Sequence, residues 1–294
     1  MSRRTYSLST GEDIINEHLA LIGDDVDTSI DPLQETSLLF TLNRLQRAVA
    51  NLPFARLKVG SDYIMPTGRS WDFLTEEKEY SIIDNTTFAA ALAAGETISI
   101  AITDGTGWDS TSGAFLSYDG EGTWDYITFA TRSSGTLTTL TDVGLGNDSG
   151  DDVNKLYKLP SDFWQPISLH VPDVSSKPYT EVDLNPGSQE YAIINGFLWM
   201  YKDHEATTAT LKYQKAVTDL VEIDNSMTTP KDLDLYFVEM LNARAYRLNG
   251  NPQVDIDRAH NEAKSHLLNA LDLCTVVSDR SIKTVRGPFR SPTT

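Results

Sequence analysis

The most regular hydrophobic pattern in the chain lies between residues 31 and 52. Five apolar side chains recur there at steps of four, three, four and three residues: Leu38, Leu42, Leu45, Val49 and Leu52. This spacing predicts an amphipathic helix of about six turns. Asp31 and Pro32 suit its first positions, and Pro53 ends it. The opposite face is polar and carries Asn43, Arg44, Gln46 and Arg47.

Three further stretches show the same one-sided periodicity, at residues 11–22, 230–250 and 252–274. Thr10 suits the cap of the first stretch, and Gly23 suits its end. The apolar positions of the three stretches are Ile15, Leu19, Ile22, Leu233, Phe237, Met240, Leu241, Leu248, Ile256, Ala259, Ala263, Leu267, Ala270 and Cys274. A one-sided helix must bury its apolar stripe against a partner, so we expect the N- and C-terminal helices to form one helical bundle.

The middle of the chain is different, because residues 84–152 are rich in Thr, Ser, Gly and Asp and carry eleven acids against one base, Arg132. Short strand-prone runs separated by turn residues recur there: Thr97–Ile102, Ala114–Tyr118, Trp124–Ala130 and Thr136–Leu140. This pattern predicts a small antiparallel β-sandwich or barrel inserted into the body. We therefore expect an α+β protein with a body of residues 1–83 and 153–275, an insert of residues 84–152 and an extended arm of residues 276–294.

The strongest hairpin signal follows the insert. The runs YAII and FLWM flank Asn195 and Gly196, the preferred pair for a type I′ turn. Thr208–Gln214 reads as a further strand, with Ala209 and Leu211 on one face. The body thus combines the helical bundle with a hairpin and strands.

Charge and composition limit the classes of function that the chain can have. The net charge is −18, which argues against a protein that grips nucleic acid by neutralising phosphates. Residues 276–294 are the exception, with four basic side chains against Asp279. A basic tail on an acidic body is typical of an interaction arm. No apolar run reaches the length of a membrane span, and Cys274, as the only cysteine, favours a buried apolar role.

No catalytic motif stands out, so we expect no enzyme and no cofactor. Two alternatives rest on the insert. Its acids could hold calcium: Asp104, Asp109, Asp119, Glu121, Asp125, Asp148, Asp151 and Asp152. Its aromatic residues could form a sugar platform: Trp108, Tyr118, Trp124 and Tyr126. The first alternative function is thus a glycan- or calcium-binding module on a helical body. The second is a hydrolase associated with a phage particle.

The order of several short motifs resembles that of head-to-tail adaptor (connector) proteins of short-tailed bacteriophages. The motifs are EDIINEHLALIGDD, DPLQETSLLFTLNRLQRAVANLP, YKLPSDF, INGFLWMYKDHEATTATLKYQKAVTDL and TPKDLDLYFVEMLNARAYRLNGNPQVDIDRAHNEAKSHL. They cover most of residues 11–83 and 153–275, and the insert resembles small β-modules of other phage structural proteins.

This resemblance implies a structural virion protein, made in the host cytoplasm, that forms a ring of commonly twelve subunits at the head–tail junction. Its partners would be the portal protein and the next tail component, a nozzle or tail-tube protein. DNA would pass through the channel without specific binding, and no membrane would be involved. The C-terminal arm would bind the portal through apolar anchors and charged side chains: Arg280, Ile282, Lys283, Arg286, Phe289 and Arg290.

Overall fold

A computed structural model describes residues 5–23, 32–51, 69–118, 124–141, 143–144, 146–172, 178–183, 186–200 and 207–277 of the 294-residue chain. Asp31 and Pro53, the predicted ends of the long helix, lie outside these ranges. So do the side chain of Pro32 and residues 278–294, which include nearly all of the predicted arm.

Within the described residues the chain forms four α-helices and sixteen β-strands. The helices are α1 (Gly11–Ile22), α2 (Pro32–Ala50), α3 (Asp234–Leu248) and α4 (Gln253–Cys274). The first eight strands are β1 (Leu8–Thr10), β2 (Arg69–Trp71), β3 (Thr75–Ser81), β4 (Thr86–Thr87), β5 (Ser99–Ala101), β6 (Gly113–Tyr118), β7 (Trp124–Ser133) and β8 (Thr136–Thr141). The other eight are β9 (Asp152–Lys158), β10 (Phe163–His170), β11 (Thr180–Glu181), β12 (Glu190–Ile194), β13 (Phe197–Met200), β14 (Thr208–Lys215), β15 (Ser226–Pro230) and β16 (Thr275–Val277). Short 3-10 turns occupy Asp72–Leu74 and Lys231–Leu233.

The predicted fold class, a helical bundle with an inserted β-domain, is wrong, because the described chain is mostly β. One sheet contains nine strands, and three smaller sheets contain three, two and two. The reason is that many strands are only two to five residues long, too short to show a clear alternation of polar and apolar side chains. They are recognised only once their partners along the chain are known.

The chain divides into two compact units. The described residues of the first lie within 1–76 and 214–278, and those of the second lie within 77–213. We call them the helical unit and the β-unit. The predicted insert, with boundaries at 83/84 and 152/153, stays a prediction. Whether it folds independently can be tested with fragments of the chain. None of the helices among the described residues is long and apolar enough to cross a membrane.

The helical unit has one core to which helices, strands and loops all contribute. The apolar stripes of the four helices meet there, and the core also takes up Trp71, Phe73, Leu220 and Met227 from outside the helices. Two small antiparallel pairs, β1–β15 and β2–β16, belong to the same unit. The helices therefore pack into a mixed α/β core and not into a bundle of their own.

Individual helix predictions are confirmed where the signal is local. Thr10 and Asp13 form a reciprocal capping box at the start of α1, and Gly23 ends that helix with a φ of 83°. Every predicted apolar position of α4 is buried. Leu248 is the exception on α3, since its side chain is 75% exposed and contributes nothing to the core.

In the β-unit part of the large sheet closes on itself. β9, β6, β7, β8 and β5 are neighbours in that order, and β4 pairs with β9. Phe88, directly after β4, bridges Ile102, directly after β5, which completes the ring of strands. The enclosed core contains Phe88, Leu92, Ile100, Ile102, Trp108, Phe115, Ile127, Phe129, Leu137, Leu140, Val143 and Val153. The strands predicted within residues 84–152 are confirmed, and β9, which lies almost wholly beyond them, closes the barrel.

The predicted hairpin is confirmed as β12 and β13, and it extends the sheet from β9. Asn195 and Gly196 have φ values of 49° and 82°, as a type I′ turn requires. β13 is three strands away from β7, a lateral distance of about 14 Å in a flat sheet. The rings of Trp124 on β7 and Trp199 on β13 nevertheless lie only 4.9 Å apart. The sheet must therefore curl strongly, so that the hairpin packs over the outside of the barrel.

Candidate interaction surfaces on the helical unit

The inner side of α2 holds the loop before β15 with a pair of hydrogen bonds. Asn43 Nδ2 donates to the Leu220 carbonyl oxygen at 2.9 Å, and the Leu220 N–H donates to Asn43 Oδ1 at 2.8 Å. The amide side chain thus replaces a backbone partner for both polar groups of one buried residue. Asn43 itself is only 9% exposed, although the sequence pattern places it on the polar outer face.

Gln46 continues the same inner side. It is fully buried, and its Oε1 accepts a hydrogen bond from the Thr228 N–H at 3.0 Å. Gln214 Nε2 donates to the Ala50 carbonyl oxygen at 2.8 Å, which fixes the end of the helix. Arg47 makes a bidentate ion pair with Asp219 at the edge of this contact. Of the four residues predicted for the polar face, three therefore bind the segment 214–228, and the helix has a different outward face.

The outward face of α2 is partly apolar. Leu33 is 81% exposed and Phe40 is 66% exposed, and the exposed side chain of Arg44 lies one turn beyond Phe40. Ser37 lies between Leu33 and Phe40 in the sequence, and its Oγ accepts a hydrogen bond from Arg244 of α3 at 3.1 Å. Seven residues separate Leu33 from Phe40, so both point to the same side, opposite to the buried stripe. Together, Leu33 and Phe40 make this outward face a candidate surface for binding a partner.

The outward face of α4 is the second exposed apolar surface. Val254 is 70% exposed and Leu268 is 46% exposed, and Asn261 lies midway between them on the same side. An open groove of about 450 Å³ runs along the first part of this face. It is lined by Val254, Asp257, Arg258, Asn261, Glu262 and Ser265. The groove offers an apolar floor next to carboxylates.

A half-buried carboxylate lies at the start of α3. Asp234 Oδ2 accepts a hydrogen bond from Ser9 Oγ at 2.5 Å, whereas its buried Oδ1 has no hydrogen-bond partner among the described residues. Burial raises the pKa of Asp234 to about 6, and the carboxylates of Glu17 and Asp13 act in the same direction. The hydrogen bond from Ser9 and the charge of Lys231 oppose this rise. Asp234 thus links strand β1 to α3 through the hydrogen bond from Ser9, and the charge at this link depends on whether the carboxyl group is protonated.

His18 is a buried histidine of α1. Its Nδ1 lies 2.7 Å from Asn242 Oδ1, and Asn242 Nδ2 donates to Glu239 Oε2 at 3.3 Å. Burial raises the pKa of Glu239. The contact joins α1 to α3 inside the core, so the structure gives His18 a packing role.

The predicted portal-binding residues cannot be placed. Arg280, Ile282, Lys283, Arg286, Phe289 and Arg290 all lie beyond Val277, outside the described residues. The arm therefore stays a prediction.

Several acids proposed for calcium hold turns of the β-unit. Asp104 Oδ1 accepts from the Thr106 N–H at 2.8 Å, Asp125 Oδ2 from the Gly144 N–H at 2.9 Å, and Asp151 Oδ2 from the Asp148 N–H at 2.7 Å. Asp119 and Glu121 lie outside the described residues. In the part of the chain that the structure describes, no three acidic, histidine or cysteine side chains come together as a metal site would need.

The aromatic residues proposed for a sugar platform are not equivalent. Trp108 is a core residue, 4% exposed, and packs edge-on against Phe115 inside the barrel. Trp124 packs against Tyr118 and Trp199, and Tyr126 packs against Phe197. These rings join the hairpin to the barrel. Tyr118, Trp124 and Tyr126 are half-buried, and their binding of sugars stays an untested alternative.

No protein-family model matches the chain, and no curated protein sequence matches it. The likeness to phage adaptor proteins therefore rests on the sequence motifs. The hydrophobic pattern does not single out Leu33 and Phe40, since it identifies only the buried stripe of α2. Their signal in the sequence is a seven-residue spacing of large apolar residues on the face opposite to that stripe.

Proposed function

We propose that this chain is a structural virion protein: an adaptor subunit that assembles into a ring, joins a phage portal to the tail and leaves a channel for DNA. The observation that carries the proposal is the pair of outward apolar surfaces on α2 and α4, at Phe40 and Val254. Large apolar side chains on outward faces are typical of surfaces that bind proteins. Two such surfaces on one chain suit a subunit that has a neighbour on each side.

The residues behind the likeness to adaptor proteins support the same function. Leu42 is fully buried and Asn43 holds the loop at Leu220, so this Leu-Asn pair has a defined structural task. Gly23, in the other short motif, provides the left-handed end of α1. Motif residues that position elements of the fold support the likeness to adaptor proteins more strongly than matches at exposed positions would.

The charge of the chain agrees with a channel for DNA. At a net charge of −18, the surface repels phosphates and leaves DNA free to slide. The basic residues after position 278 supply the opposite charge for a partner protein. Attachment to the portal through this arm is therefore part of the proposal.

Attachment can be tested with purified full-length chain and isolated portal rings. Deleting residues 278–294 should abolish binding to the rings, because it removes the apolar anchors Ile282 and Phe289 together with four cations. The melting temperature should change little, since the hydrophobic clusters described for the two units consist of residues before position 278. Binding is measured by co-sedimentation with the rings, and melting is measured by circular dichroism.

A matched control removes only residues 291–294, which carry no charge and no large apolar side chain. This shorter chain should bind the portal normally. If the chain without residues 278–294 still binds at full strength, the arm is not the attachment site. If the complete chain does not bind portal rings at all, the adaptor function is wrong.

A further inference from the structure

The outward faces of α2 and α4 share a seven-residue repeat. On α2 the repeat is Leu33 and Phe40, and on α4 it is Val254, Asn261 and Leu268. Positions seven apart drift by only about 20° around a helix, so each set forms a nearly straight seam. Within both seams successive positions are about 10 Å apart along the axis. Seams of this kind let two helices pack side by side.

The two seams also complement each other in charge and shape. The exposed cation Arg44 follows Phe40 by one turn, whereas Asp257 and Glu262 line the groove that starts at Val254. Arg258 lines the groove too, but its guanidinium lies 3.5 Å from the carboxylate of Asp255, which offsets its charge. A groove of about 450 Å³ has room for a phenyl ring. An acidic groove selects a partner that presents an apolar side chain beside a cation. The α2 seam presents that combination.

We infer that the occupant of the α4 groove is α2 of a second copy of this chain, with Phe40 inserted over Val254 and Arg44 facing Asp257. The contact joins two different surfaces, so a pair of copies still has one α2 seam and one α4 seam available for further copies. Such a head-to-tail contact closes into a ring or continues as a filament. The inference rests on the self-assembly in the proposed function, but it does not depend on attachment to a portal.

The test is the size of the full-length chain in solution without portal, measured by light scattering and native mass spectrometry over a range of concentrations. The wild-type chain should self-associate. Phe40→Asp should raise the concentration needed for association by more than about tenfold, as loss of a central aromatic contact does. Val254→Asp should do the same from the other side. Ile98→Asp is the matched control, because Ile98 is 75% exposed but belongs to the β-unit.

Mixing the two variants tests the head-to-tail arrangement directly. Each variant alone should be monomeric, whereas an equimolar mixture should form a one-to-one pair, since one chain keeps α2 intact and the other keeps α4 intact. Arg44→Glu and Asp257→Arg should each weaken association, and the double variant should restore it.

A wild-type chain that stays monomeric at every concentration overturns the inference, as does a mixture that forms no pair. Circular dichroism confirms that the variants are folded. A chain that associates as inferred but does not bind portal rings supports the contact and contradicts the adaptor function, so the two failures can be told apart.

Discussion

Asn43 illustrates how one polar side chain can stabilise the helical unit from inside. Its amide satisfies both the N–H and the carbonyl group of Leu220, which is only 4% exposed. A buried polar group without a partner costs about 1 to 3 kcal/mol, so a truncated side chain leaves two such costs. The Leu-Asn pair therefore contributes to stability through its asparagine as much as through its leucine.

Asn43→Ala should lower the free energy of unfolding by about 2 to 4 kcal/mol, because both polar groups of Leu220 lose their partner. The measurement is urea unfolding followed by circular dichroism. Gln34→Ala is the control, since Gln34 is exposed on the same helix. A loss no larger than that of the control would mean that water replaces the amide at Leu220.

Asp234 should make the stability of the helical unit depend on pH. Its pKa is about 6 in the folded chain, against an ordinary value of 3.8. The folded state therefore binds the proton more tightly than the unfolded state does. The stabilisation from this proton is fully present below about pH 4 and is lost as the pH rises through about 6.

Asp234→Asn should remove this contribution, because the amide stays neutral and its oxygen can still accept from Ser9. The difference in melting temperature between pH 4.5 and pH 7.5 should shift toward greater relative stability at pH 7.5. Glu222→Gln, an exposed change of the same charge, should leave the pH dependence unaltered. Equal pH profiles for Asp234→Asn and the wild type would assign the titration to other groups.

At the scale of elements, the sequence predicts those whose signal is local. The caps and stripes of α1 and α4 involve residues within a few turns of one another, and the Asn195–Gly196 turn needs only two residues. Gln46 shows the limit. It looks like a surface residue of an amphipathic helix, but it is fully buried because the segment around Thr228, far away in sequence, supplies its partner.

The β-sheets could not be predicted in the same way, because the pairing of strands is non-local. β9 reads as an ordinary extended segment, yet it lies between β6 and β13 and also pairs with β4. Its alternation shows that Val153 and Leu156 lie on different faces, but it does not show which strands cover them. The fold class was wrong for this reason, since the helices carry the clearer pattern while most of the regular structure is β.

The candidate interaction surfaces also differ in how far the sequence predicts them. The outward seam on α2 could have been recognised from Leu33 and Phe40 once the buried stripe was assigned, because both lie opposite to it. The groove on α4 needs the structure, since its lining is mostly polar and resembles any solvated helix face. The arm follows from composition alone.

At the scale of the whole molecule, the β-unit should fold without the rest of the chain. Three hydrophobic clusters lie entirely within residues 77–213, and none of them draws a residue from the helical unit. The predicted insert, residues 84–152, lacks most of β9. It therefore leaves β6 without one neighbour and removes Val153 and Leu156, both fully buried, from two of these clusters.

Three fragments test whether the independently folding part is residues 77–213 or residues 84–152. Residues 77–213 should give a cooperative thermal transition and dispersed amide NMR signals, because all three clusters are complete. Residues 84–158 restore β9 and nearly the whole barrel core but lack the hairpin, so this fragment should be compact and less stable. Residues 84–152 should be largely unfolded, since the barrel cannot close without β9. If this shortest fragment unfolds as cooperatively as residues 77–213, the insert is an autonomous domain after all, and β9 only extends its sheet.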